Sequence, residues 1–205
     1  MYSINATSIS SAHSAVCKAI IEGGEHIVTE DGQETWELDV PIAVKIVYPM
    51  QEPMYNRNMH KDDKKLIAYL PMILSDINTG HEYTYGERIA EQVKMIEEAL
   101  RKSPNTRRAV IHTWKVGIDN NSKSPPCLQL IQFVVRNGEL NMIVYFRSND
   151  MALAYGDNMY GMAHLLQRTA TRLGLKIGYL QSISACPHIY NGDIQTARRI
   201  AYGGS

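Results

Sequence analysis

The feature that most constrains this chain is Asn137-Gly138, flanked by two apolar, β-branched-rich runs. Asn-Gly supplies two residues that tolerate positive φ, which is what a tight hairpin turn requires, so the stretch predicts an antiparallel β-hairpin. The first strand begins at Pro125-Pro126-Cys127 and the second ends at Arg147-Ser148-Asn149-Asp150. Those two ends are neighbours in a hairpin. A thiol is thereby set beside a guanidinium, a hydroxyl and a carboxylate.

Strand and helix signals alternate around the hairpin. Ser10 or Ser11 to Ile21 reads as an amphipathic helix stopped by Gly23-Gly24, and Trp36 to Tyr48 as strand broken at Pro41. Met50 to Lys65 is polar and irregular, a candidate mobile loop, and Leu66 to Ile77 reads as a helix interrupted at Pro71. Gly86 to Lys102 carries Ile89, Val93, Ile96 and Leu100 on one stripe and is the clearest helix. Arg108 to Val116 alternates like a strand and Gly117 to Ser124 is a polar loop. Asp157 to Leu173 is a second clear helix closed by Gly174, Lys176 to Ile189 a strand, and Asp193 a cap for a last helix. Gly203-Gly204-Ser205 reads as a flexible tail. With 205 residues and no linker or repeat, residues 1–205 are expected to form one α/β (α+β) domain.

Formal net charge is zero, which removes any bulk electrostatic case for nucleic acid or an acidic membrane surface. No apolar run has spanning length and no signal pattern opens the chain, so no membrane role is expected. The three cysteines, Cys17, Cys127 and Cys186, are widely spaced and suit a reducing cytoplasm. They form no zinc pattern, and no metal is expected.

Cys127 is the candidate nucleophile. A buried cysteine is ordinarily an inert small hydrophobe, but a nearby cation such as Arg147 favours the thiolate, which can attack an electron-poor ring carbon. Arg107-Arg108 lie at a helix-to-strand junction. They are either a solvated pair or, with Arg147, part of a phosphate clamp, since successive strand residues face opposite ways. Asn158 is either a helix cap or a reader of a base edge that offers an acceptor beside a donor. His188 and Tyr190 are either a structural pair or a grip on sugar hydroxyls. Tyr85 is a candidate proton relay.

In this order, Pro126-Cys127, Gln132-Phe133, Arg147-Ser148-x-Asp150, Asn158 and His188-x-Tyr190 resemble thymidylate synthase. So do Tyr85-Gly86 and Asn105-Thr106-Arg107-Arg108 ahead of Trp114. Leucine after the cysteine, as in Cys127-Leu128, most resembles the short, archaeal-type members. The resemblance implies a three-layer fold whose mixed sheet packs against its twin in a homodimer. It also implies 5,10-methylenetetrahydrofolate as co-substrate and a pyrimidine nucleoside monophosphate as substrate. Cys127 would add to C6 and C5 would take the one-carbon unit. Arg147 and Ser148 would hold the phosphate, with Arg107 and Arg108 reaching across the dimer. Asn158 would read the uracil O4/N3 edge, Asp150 would organise the site, His188 and Tyr190 would bind the sugar, and Tyr85 would assist proton removal.

Several family features are missing. No arginine precedes Arg57, so the family's N-terminal phosphate loop has no counterpart. The Leu66 to Ile77 stretch lacks the family's catalytic glutamate, leaving Glu52, Glu82 and Glu87 as candidates. The tryptophan of the folate wall upstream of Tyr85 is absent, and Ser184-Ala185-Cys186 replaces the family's Gly-Gly-Asp. Three functions fit: a synthase making dTMP and dihydrofolate from dUMP, a hydroxymethylase of dUMP, dCMP or CMP that uses water, and a nucleotide-binding relative without catalysis. Asn158 argues against cytosine, whose C4 amino group calls for an acceptor; the neighbouring Asp157 is such an acceptor.

Overall fold

The computed structural model describes residues 1–203. The elements run β1 (Tyr2–Ala6), α1 (Ile9–Gly23), β2 (Glu25–Val28), β3 (Glu34–Glu37), β4 (Ile42–Ile46), α2 (Lys64–Tyr69), α3 (Pro71–Leu74) and α4 (Tyr85–Lys102). Then come β5 (Val110–His112), β6 (Leu128–Arg136), β7 (Glu139–Asp150), α5 (Tyr155–Leu173), β8 (Lys176–Tyr190) and α6 (Ile194–Tyr202).

The strands form one open mixed sheet in the order β1-β4-β8-β7-β6-β5, with β3 paired to the far end of β8 and β2 outside β3. The hairpin is β6–β7, in register from Leu130↔Tyr145 to Arg136↔Glu139. Its turn residues Asn137 and Gly138 have φ of 53° and 77°, the left-handed pair that matches the twist of the strands. β7 and β8 run parallel, joined through α5, so their ends meet at Ser148↔Cys186 and Asp150↔His188.

One face of the sheet is apolar because alternate residues share a face. Ile131, Val144 and Val44 stand in one register row, and Phe133, Met142, Leu180 and Ile46 in the next, all buried. Helices α1, α4 and α5 cover this face, and the short α2 and α3 pack outside on α5. The opposite face carries Leu130, Gln132, Ile143, Tyr145, Gln181, Ile183, Ala43 and Lys45, none of them buried.

Helix starts follow their caps. Ser8 and Ser11 form a reciprocal capping box on α1, and Thr84 accepts from the Glu87 N–H at the start of α4. α5 closes on Gly174 at φ 68°. The Asp193 side chain makes no capping bond to α6, contrary to its sequence signal.

Three other expectations change. The strand expected from Arg108 to Val116 is three residues long. Beyond it, the Asp119 carboxylate accepts from Lys115 N–H at 2.6 Å and from Arg88, bending the chain out of the sheet. Strands β1 and β2, which the sequence reading did not single out, lie at the margins of the sheet with mostly exposed side chains. Asn158 is not a cap, since α5 starts at Tyr155 and buries it. The irregular Met50 to Lys65 segment is anchored. Asn56 is buried and donates to Ser14 Oγ (2.8 Å) and the Ile200 carbonyl (3.3 Å), and His60 bonds Asp157. Of the expected tail, Gly204-Ser205 lies outside the described residues.

Candidate active site

The hairpin end places the thiol as its pairing dictates. Arg147 N–H donates to the Cys127 carbonyl at 2.9 Å, extending the ladder one residue beyond β6. The Arg147 side chain folds back over the Pro125-Pro126-Cys127 turn. Its Nε donates to the Pro126 carbonyl (3.0 Å), and its Nη2 donates to the Pro125 carbonyl (2.8 Å) and lies 3.9 Å from Cys127 Sγ. Two prolines fix the turn, and their carbonyls fix the guanidinium. Burial pushes the Cys127 thiol above its ordinary value, while the Arg147 charge pulls it back. The Tyr85 hydroxyl accepts from the Leu128 N–H at 3.2 Å, so it too sits at this turn.

The parallel β7–β8 pairing builds the next wall. Ser148 Oγ lies 3.4 Å from His188 Nδ1, which is 3.2 Å from the Cys186 carbonyl. His188 and Tyr190 stand edge to face with ring centres 5.0 Å apart, as expected of an i, i+2 pair on one strand face. Asp150 Oδ1 accepts from Ala152 N–H (2.9 Å) and Leu153 N–H (3.1 Å), which shapes the turn into α5. Burial holds its carboxyl above the usual range against those bonds and the nearby His188.

Asn158 faces this wall from α5. Its Oδ1 accepts from the Tyr69 hydroxyl at 2.8 Å, and its Nδ2 donates to Asn149 Oδ1 at 3.5 Å. The adjacent Asp157 points elsewhere, 2.7 Å from His60 Nε2. The two neighbours are thereby separated: the amide looks inward and the carboxylate is held by a histidine.

The arginine pair is not brought to this place by its own chain. Arg107 and Arg108 are both exposed, and neither side chain has a partner among the described residues. Ala109 bonds Phe133, so Arg108 stands level with Val134, seven residues along β6 from Cys127. That separation is roughly 20 Å. The expectation that one of the pair points inward fails because both precede the strand that would have alternated them.

None of the candidate glutamates bonds a site residue. Glu52 accepts from its own loop at Met54 (3.2 Å), Glu82 accepts from Ser122 (2.8 Å), and Glu87 accepts from Asn78 (3.0 Å). Two tyrosines join the site that the sequence did not single out. Tyr83 stands edge-on to Tyr85 at 5.7 Å and packs over the Arg88 guanidinium at 4.5 Å. Tyr69 lies in an apolar helical stretch, where a tyrosine reads as packing, and no local signal marks it. Among the described residues no cluster of three or more His, Cys, Asp or Glu is placed to hold a metal, and no helix is long and apolar enough to cross a membrane.

Comparison with known proteins identifies the family. The sequence profile of the thymidylate synthase family matches residues 15–201. A protein of Methanosarcina barkeri named "Putative thymidylate synthase" is 31% identical, covering 98% of this chain and 94% of its own. Proteins of the same name from Methanosarcina acetivorans and Methanocaldococcus jannaschii are 30% and 32% identical, covering 98% and 93% of this chain and 94% and 91% of their own. Nearly the whole chain, including both strands of the hairpin and the helix that carries Asn158, therefore belongs to the thymidylate synthase family.

Proposed function

We propose that this protein is a thymidylate synthase, transferring a one-carbon unit from 5,10-methylenetetrahydrofolate to C5 of dUMP to give dTMP and dihydrofolate. The observation that carries the reading is Arg147 Nη2 at 3.9 Å from Cys127 Sγ, on a turn fixed by two prolines. The cation stabilises the thiolate once the site fills, and the thiolate adds to C6 of the base. Addition at C6 makes C5 nucleophilic. The folate supplies the methylene that C5 attacks. Loss of the C5 proton then breaks the bond from that carbon to the folate nitrogen, and hydride from the released folate reduces the exocyclic methylene and leaves dihydrofolate. Tyr85, whose hydroxyl is fixed at the same turn, assists loss of the C5 proton. Cys127 then leaves C6 as the product double bond forms.

Binding falls to the surrounding side chains. Arg147 and Ser148 hold the phosphate, and His188 and Tyr190 bind the sugar hydroxyl. Asn158 donates to O4 and accepts from N3–H. Asp150 holds the turn that aims α5 at the base. Arg107 and Arg108, exposed and far from Cys127 in their own chain, complete the phosphate site of a second copy. The uncovered, partly apolar sheet face is the surface on which two copies pack, and residues 1–205 act as one catalytic domain. A reactive thiol of this kind belongs in the reducing cytoplasm.

A second reading rests on one observation. The family's folate-wall tryptophan ahead of Tyr85 is missing, which leaves the C5 methylene open to water. Water would then capture the C5 methylene, and the product would be a hydroxymethylated nucleotide.

The test is incubation with methylenetetrahydrofolate and dUMP, dCMP or CMP in turn, following the folate and nucleotide products together. The synthase requires dTMP with stoichiometric dihydrofolate. A hydroxymethyl nucleotide with tetrahydrofolate replaces it by the second reading. Nucleotide binding without product from any of the three leaves a binding protein.

A further inference from the structure

We propose that Tyr69 is a positioning residue that locks the Asn158 amide in the orientation that selects uracil over cytosine. This rests on Asn158 facing the base, as proposed above. The Tyr69 hydroxyl is 2.8 Å from Asn158 Oδ1, and Asn158 Oδ1 is its one hydrogen-bond partner among the described residues. From the other side, Asn158 Nδ2 donates to Asn149 Oδ1 (3.5 Å), and Asn149 Nδ2 donates to Ser184 Oγ (3.3 Å). Four polar side chains from α2, α5, β7 and β8 thus form one line with a consistent direction. Asn149, Asn158 and Ser184 are buried, so water does not substitute for a lost member.

The direction leaves Asn158 with one free Nδ2–H and one free Oδ1 lone pair. That set matches O4 beside N3–H of uracil. Cytosine presents an amino donor beside an acceptor and requires the amide turned over. Turning it would face Oδ1 to Asn149 Oδ1, acceptor against acceptor, and would strip the Tyr69 hydroxyl of its acceptor. Burial raises the Tyr69 phenol well above its ordinary range, so the hydroxyl keeps the proton it donates.

Packing holds Tyr69 in place. A Cβ at Gly161, one turn along α5 from Asn158, would meet Ile73 Cγ1 at 2.7 Å and Tyr69 Cε1 at 3.5 Å. Glycine there leaves room for Ile73 of α3 against α5, with the Tyr69 ring at ordinary contact distance beside it.

The experiment is calorimetric titration of the full chain with dUMP and with dCMP, for the parent and for Tyr69→Phe, with melting temperatures recorded. The phenylalanine keeps the ring in its cradle and removes the hydroxyl alone. The expected result is a parent that prefers dUMP and a Y69F variant whose dUMP:dCMP affinity ratio falls by about tenfold, the worth of one oriented hydrogen bond. An unchanged ratio in a folded Y69F overturns the proposal and leaves the nucleotide reading standing. A parent that binds neither nucleotide overturns the nucleotide reading and this proposal with it. Should Y69F not fold, Asn149→Leu carries the test from the other end of the line, and an unchanged ratio there overturns the locked amide.

Discussion

Arg147 and Cys127 are coupled through the turn between them: the guanidinium donates to the carbonyls of Pro125 and Pro126 and lies 3.9 Å from the sulfur. The charge opposes a larger effect, because burial alone lifts the thiol. In the unliganded protein Cys127 should therefore alkylate with a pH midpoint above that of an ordinary cysteine. Arg147→Gln should move the midpoint higher still. Iodoacetamide rates against pH, in a Cys186→Ser background because Cys186 is exposed, check both, and a lower midpoint in R147Q would contradict the coupling.

Cys127→Ser should abolish product while leaving dUMP affinity within about tenfold, since affinity rests on the arginine–phosphate contacts and not on the adduct. Product assay and calorimetry on the same preparation separate the two effects. Normal turnover by C127S would remove the covalent step.

Gly86→Ala should destabilise the protein and disturb Tyr85 together. A Cβ at Gly86 would fall 2.0 Å from the Ser75 carbonyl oxygen, which is backbone and cannot swing aside. The first turn of α4 must shift, at about 2–3 kcal/mol, and the melting temperature should fall by roughly 5–10 °C. Thermal unfolding followed by circular dichroism reads the loss. An unaltered melting temperature would mean that α4 and the Ser75 turn part freely.

His13 makes stability depend on acid. It is fully buried, with Nε2 donating to the Ala152 carbonyl at 3.1 Å, and burial lowers its pKa from 6.5 to about 4 despite that bond. The unfolded chain binds the proton first as pH falls. Stability is therefore complete above 6.5 and is lost progressively down to about 4, by up to about 3 kcal/mol. His13→Gln keeps a donor without a titrating ring and should flatten this part of the profile. Urea midpoints from pH 7 to pH 4, for both proteins, measure it.

Much of the framework was legible because its causes are local. Asn137-Gly138 fixed the hairpin and hence the meeting of Cys127 with Arg147. The apolar stripe Ile89, Val93, Ile96, Leu100 fixed α4, and Gly174 fixed the end of α5. The His188–Tyr190 pair followed from strand periodicity alone. The edge strands β1 and β2 were not read: β1 alternates over only five residues, too short a run to stand out, and β2 has no buried face and so no alternation. The short β5 was overestimated for the complementary reason. Residues 108–116 alternate well enough, but Asp119 and Arg88 draw the chain away through bonds that pattern cannot show.

By itself the sequence determined the order of the chemistry-bearing residues and the local elements that carry them, since turns, caps and periodicity act over a few residues. Tertiary structure decided which of those residues meet. It turned Asn158 inward and gave Asp157 to His60, it kept Arg107 and Arg108 away from their own thiol, and it brought Tyr69 to an amide 89 positions along the chain. Packing of α5 against α2 and α3 makes that last contact. Its energy is shared among side chains from separate elements, so no single stretch of sequence carries its signal.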